Sequence, residues 1–140
     1  MAVYAFDTNG LGSQGAVITM VAHGFSTAAL FMMAGALQER LHTREMPRMG
    51  GLWMKAPRMG VITMFFVIAS VGMPGLGNFV GEILVLFGAF EAHVPLTVFA
   101  TLGIVVAAAY GLLLLQRSFQ GAPNPDIGEI RDFGLREMSV

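Results

Sequence analysis

The sequence predicts an all-α integral membrane fold with three transmembrane spans, the second of them discontinuous. Three observations carry that prediction. Of the 140 residues, 55% are hydrophobic and only 12% are charged, about half the charge of an ordinary soluble domain. The few charges are segregated: residues 9–38 hold no Asp, Glu, Lys or Arg, residues 59–90 hold only Glu82, and residues 92–116 hold none. Each stretch reaches the roughly 20 apolar residues that a membrane helix needs. The third observation is a Gly/Pro-rich run inside the middle stretch.

The first span is read as residues 15–37. Its one ionisable side chain is His23, whose unperturbed pKa of about 6.5 suits a proton relay. At helical spacing Thr19, Ser26 and Thr27 lie at i−4, i+3 and i+4, a narrow polar stripe that could pass a proton through hydroxyls and water. A packed histidine bonded to a neighbouring helix fits the same pattern equally well. Residues 38–58 form a basic connection with Arg40, Arg44, Arg48, Lys55 and Arg58. Glu39, Glu45 and these arginines read as surface ion pairs or contacts to a partner subunit, and Trp53 as an interfacial anchor.

The second span covers residues 59–90. It is too long for one simple helix and contains Gly72-Met73-Pro74-Gly75-Leu76-Gly77-Asn78, in which Gly72, Pro74, Gly75 and Gly77 break helical structure. Two complete spans with a tight turn, or two halves of one discontinuous span, both satisfy that pattern. Charge favours the second. With three spans both basic segments fall on one side of the membrane and the joint 91–95 on the other, as the positive-inside rule requires. Irregular backbone at membrane depth survives only when buried in protein or lining a wet cavity, and such broken helices recur at ion sites.

Glu82 follows that break closely. A charged side chain at a helix centre costs about 2.5–3.5 kcal/mol on insertion scales, and a carboxyl tuned to the working pH takes up and releases protons. The plainer alternative places Glu82 at the interface, in the first turn of a helix capped by Asn78. The third span, residues 96–116, carries Gly103, Ala107 and Gly111 every four residues, a small-residue stripe against which another helix can approach. Residues 117–140 read as a cytoplasmic tail of linker character. Residues 1–10 read as a polar or interfacial lead and not a signal peptide, since no basic region opens them.

Composition excludes several functions. A net charge of −1 provides no field for nucleic acid. The absence of cysteine removes disulfides, thiolate metal sites and cysteine nucleophiles. His23, His42 and His93 lack metal-ligand spacing, and no nucleophile–base arrangement stands outside the spans.

The run His23-Gly24-Phe25-Ser26-Thr27-Ala28-Ala29-Leu30-Phe31, with Gln38-Glu39-Arg40, His42-Thr43-Arg44-Glu45 and Gly50-Gly51-Leu52-Trp53, resembles the M-chain (chain 13 type) family of antiporter-like subunits of NADH:quinone oxidoreductase, respiratory complex I. Phe65-Phe66 and the run from Gly72 to Glu82 resemble that family's broken helix. The resemblance covers most of the chain. The Met-Pro-Gly…Asn-Phe-Val-Gly-Glu run is fairly specific to the M type, whereas the histidine helix is shared with sodium/proton antiporter subunits and membrane hydrogenases.

The resemblance implies that the three spans are part of a larger antiporter-like bundle. It aligns Glu82 with a proton-channel carboxylate and His23 with a histidine on a central polar axis, and it places the basic segments on the cytoplasmic side. It also implies partners among the other membrane subunits and the lipid bilayer, with protons as the only small-molecule substrate. Flavin, iron–sulfur clusters, NADH and quinone would be handled by other subunits, so this chain would carry no redox catalysis and no cofactor. The expected location is a bacterial inner membrane. Because family members have about fourteen spans, the chain is expected to be a C-terminal-region fragment holding part of one half-channel. A cation/proton antiporter subunit of the same superfamily and a non-transporting membrane scaffold docking through the Gly103 stripe are the competing functions.

Overall fold

Helix dominates because the apolar stretches leave the backbone no other way to satisfy its polar groups in lipid. The computed structural model describes residues 10–43, 45, 49–121 and 130–134. Among them there is no strand. The helices are α1 (Leu11–Leu41), the short α2 (Leu52–Lys55), α3 (Pro57–Ser70), α4 (Gly77–Ala92) and α5 (Val94–Leu115), which continues into a π-helical turn, Gln116–Gln120. Two helices are long and apolar enough to cross a membrane: α1, with 31 residues, and Val94–Gln120, with 27. They contain the expected spans 15–37 and 96–116.

The expected discontinuity is present. At 1.5 Å per residue, α3 is roughly 21 Å long and α4 roughly 24 Å, so neither reaches across a hydrocarbon core of about 30 Å. Six residues, 71–76, separate them. The helix resumes at Gly77, one residue sooner than Asn78. The cap position falls to Leu76, whose apolar side chain makes no cap bond, and the Asn78 side chain is committed elsewhere.

The chain divides into two compact units. One holds the described part of Met1–Thr27 together with Ile68–Gly111. Here α1 and α4 meet through glycines. A Cβ on Gly15 would lie 2.6 Å from the Gly81 carbonyl oxygen, and one on Gly81 would collide with the Thr19 hydroxyl. Only glycine permits so close an approach. The large apolar side chains Phe99, Leu102, Val105 and Val106 of α5 are exposed. Nothing lies within 4 Å of the place a Cβ would take on Gly103, so no described residue packs on that part of the small-residue stripe.

The other unit holds the described residues of Ala28–Val67 and Leu112–Val140. Its core is Ala56, Met59 and Phe133, with Met33, Ala36, Leu37, Ile62 and Ile130 packed against it. Trp53 lies against α3: a Cβ on Gly60 would sit 2.9 Å from its ring, so the side chain serves internal packing as well as any interfacial role.

The tail is more than a linker. Phe133 is 4% exposed, and Asp132 caps α3 from 73 residues away. Its carboxylate accepts from the backbone N–H of Arg58 at 3.0 Å and of Met59 at 3.1 Å. Those are orphan donors of a first helical turn, and Pro57 ahead of them has no N–H to satisfy. Arg40 donates to the Arg131 carbonyl at 2.8 Å and lies over the Phe133 ring, and Arg58 donates to the Phe133 carbonyl at 3.2 Å. Partial burial pushes the Asp132 carboxyl up; the backbone N–H groups of Arg58, Met59 and Phe133 and the charge of Arg58 outweigh it and hold the group below its usual range. Arg44, Arg48 and most of the expected lead and tail lie outside the described residues.

Candidate functional site

The break is built from two turns that the sequence Gly-Met-Pro-Gly dictates. Helix α3 ends in a Schellman motif: Met73 N–H donates to the Ile68 carbonyl at 3.3 Å and Gly72 N–H to the Ala69 carbonyl at 3.4 Å. Gly72 takes the left-handed conformation this requires, at φ +76°. A second turn follows, closed by Leu76 N–H to the Met73 carbonyl at 3.2 Å. Pro74 stands at its second position and Gly75, at φ +98°, at its third, the residue pattern of a type II turn. Gly72, Pro74 and Gly75 therefore make the break, while Gly77 opens α4.

Two side chains of α4, one helical turn apart, reach back to it. Asn78 is 3% exposed; its amide donates to the Ala69 carbonyl at 2.7 Å and to the Ser26 hydroxyl of α1 at 3.2 Å. Its Oδ1 is buried with no hydrogen-bond partner among the described residues. The Glu82 carboxyl rests against Gly72, where a Cβ would collide with Oε2. Glu82 is the sixth residue of α4, past its first turn, so it does not cap the helix, and neither does Asn78.

Glu82 also faces a cavity of about 180 Å³, lined by Ala16, Thr19, Glu82, Val85, Leu86, Ala100 and Ile104. At about 30 Å³ each, a few waters would fit. Its polar lining is the Glu82 carboxyl and Thr19, whose hydroxyl donates to the Gly15 carbonyl at 2.8 Å.

The His23 turn of α1 packs on the start of α4, where a Cβ on Gly77 would lie 2.9 Å from Ala22 Cβ and Asn78 donates to Ser26, so the structure brings the two expected proton carriers into one region. Around His23 the expected stripe splits by role. Thr27 shares a hydrogen bond of 3.1 Å with His23 Nε2, while buried Ser26 donates to the His23 carbonyl at 3.2 Å. The sequence alone marks Asn78 only as a helix cap. The signal that could have found its bonds is an amide immediately after a Gly/Pro break, where unwound carbonyls need donors.

These features define a class: an integral membrane protein of apolar helices in which a carboxyl-bearing span is interrupted by a structured break. Residues 1–107 match the NADH:quinone oxidoreductase/Mrp antiporter, TM family, and the chain belongs to it. It is 47% identical over 130 residues to NADH-quinone oxidoreductase subunit M of Escherichia coli (strain K12), covering 91% of this chain and 26% of that protein. The subunit M of Pseudomonas aeruginosa is 48% identical over 127 residues, covering 91% and 25%. Among solved structures, a chain of respiratory complex I from Thermus thermophilus with bound NADH superposes with a TM-score of 0.91 at 33% identity. That match covers 99% of this chain and 29% of the other. The resemblance drawn from the His23 and Gly72–Glu82 runs is thus borne out. The chain spans about a quarter of the length of the curated relatives it matches.

Proposed function

We propose that this chain supplies part of a proton path in the membrane arm of an NADH:quinone oxidoreductase, with Glu82 as the proton-carrying group and His23 as a second station. The observation that carries the reading is the placement of Glu82, whose carboxyl touches the helix break on one side and a cavity with room for water on the other. A carboxyl so placed has one route to a donor or acceptor through water and a second through the unwound backbone. The packing of the His23 turn of α1 against the start of α4 supports transfer between the two. Thr19 on the cavity, and Thr27 and Ser26 around His23, would support the relay with hydroxyls.

Redox chemistry belongs to other subunits in this reading. A chain without cysteine has no thiolates for an iron–sulfur cluster, so NADH, flavin and quinone would be handled elsewhere. Quinone reduction would reach Glu82 only as a bias on its protonation. The partners are the other membrane subunits of the complex and the surrounding lipid, and the location is a bacterial inner membrane.

The test is Glu82→Gln in the chain as it stands in its native complex, assayed in inverted membrane vesicles by proton uptake per NADH oxidised. Glu82→Gln should lower uptake sharply and Glu82→Asp should retain part of it. Full pumping by the Gln variant would refute the role. Sodium-dependent transport that proceeds without NADH would favour the cation/proton antiporter reading.

A further inference from the structure

Asn78 does more in this structure than any helix cap. Its side chain joins three segments: its own helix α4, the last turn of α3 through Ala69, and α1 through Ser26. All three residues are buried, at 3%, 9% and 4% exposure. Two side chains four residues apart thus meet two residues of the same Schellman turn: Asn78 bonds to the Ala69 carbonyl, and the Glu82 carboxyl lies against Gly72. The bond at 2.7 Å sets the spacing between the end of one half-helix and the start of the next. Through it, the Asn78 amide sets where the carboxyl one turn further along must lie.

We propose that Asn78 is a positioning residue for the Glu82 proton site, holding the carboxyl against the break through its amide donors. This rests on the proton-carrying role of Glu82. The requirement is for N–H or O–H donors at position 78, not for volume alone.

That requirement gives the test a signature that simple packing lacks. Asn78→Asp is nearly equal in size. Ionised, it has no donor; protonated, it regains one O–H for the Ala69 carbonyl. Asn78→Leu has no donor at any pH. Both variants are placed in the complete complex, and proton uptake per NADH is compared with the parent from acid to alkaline pH. At the alkaline end of the range both should pump about tenfold less than the parent, the factor that one unmade buried hydrogen bond carries. As the pH falls, the ratio of Asn78→Asp to parent should recover, while that of Asn78→Leu stays low.

Equal and pH-independent ratios for the two variants would mean that position 78 only fills space, and would overturn the proposal. Parent-level pumping by both would do the same. Should Asn78→Leu not assemble, Asn78→Asp decides alone, since the absence of acid recovery refutes the donor requirement. Glu82→Gln run alongside separates the two claims. If it pumps fully, the function itself is wrong; if it does not pump while both Asn78 variants behave like the parent, only the positioning role falls.

Discussion

Removing the Asp132 carboxylate should loosen the first turn of α3. Asp132→Ala takes the acceptor away from two N–H groups, those of Arg58 and Met59, at 3.0 and 3.1 Å. Loss of a side-chain cap costs about 0.5–2 kcal/mol. Here one carboxylate serves two donors, which raises the figure, and its partial exposure to solvent lowers it. An effect of about 1 to 1.5 kcal/mol corresponds to a roughly five- to fifteen-fold increase in local opening. Hydrogen–deuterium exchange of the peptide covering residues 56–63, read by mass spectrometry on the intact assembly, measures that directly. Asp132→Asn keeps an acceptor without the charge and should fall between the two.

The sign with pH follows from the lowered proton affinity. Burial raises it, but the Arg58, Met59 and Phe133 N–H groups and the Arg58 charge lower it by more. A carboxyl whose folded pKa lies below its unfolded value contributes fully above about pH 3.9 and loses its contribution as pH falls through the folded pKa. The difference between parent and Asp132→Ala should therefore stay constant through neutral pH and close only in acid. Unchanged exchange over residues 56–63 at neutral pH would refute the capping argument.

Two further substitutions probe the other unit. Gly72→Ala places a Cβ against Glu82 Oε2 at a residue with φ +76°. The left-handed conformation alone costs a non-glycine residue roughly 1–2 kcal/mol, so proton uptake per NADH should drop several-fold while assembled complex persists, and unaltered uptake would contradict the placement of the carboxyl. Gly81→Ala drives a Cβ into Thr19 and to 2.8 Å from the Gly15 carbonyl oxygen. Overpacking of about 1–3 kcal/mol should lower the yield or thermal stability of the assembly, read by native gel and by thermal aggregation, and a parent-like result would mean that α1 and α4 do not approach so closely.

Composition, charge segregation and the Gly/Pro run were enough to establish from sequence alone that this is a helical membrane chain with a broken middle span. Lipid leaves few backbone solutions, and glycine and proline mark where helix cannot continue. Gly72 and Pro74-Gly75 even specify their turns, because a positive φ and a fixed one are local properties of those residues. The candidates Glu82 and His23 were legible for a similar reason: an ionisable group stands out in an apolar stretch. Their meeting, the cavity beside Glu82 and the triple attachment of Asn78 were not, because each depends on which residues distant in sequence come together. Asp132 makes the same point from the tail. Nothing in residues 117–140 marks a cap for a helix that begins 75 residues earlier, at Pro57. Only the folded chain brings a carboxylate to the two N–H groups that need one, and only there does Phe133 become core. Local backbone chemistry is written residue by residue, whereas burial, spacing and pairing are properties of the packed structure.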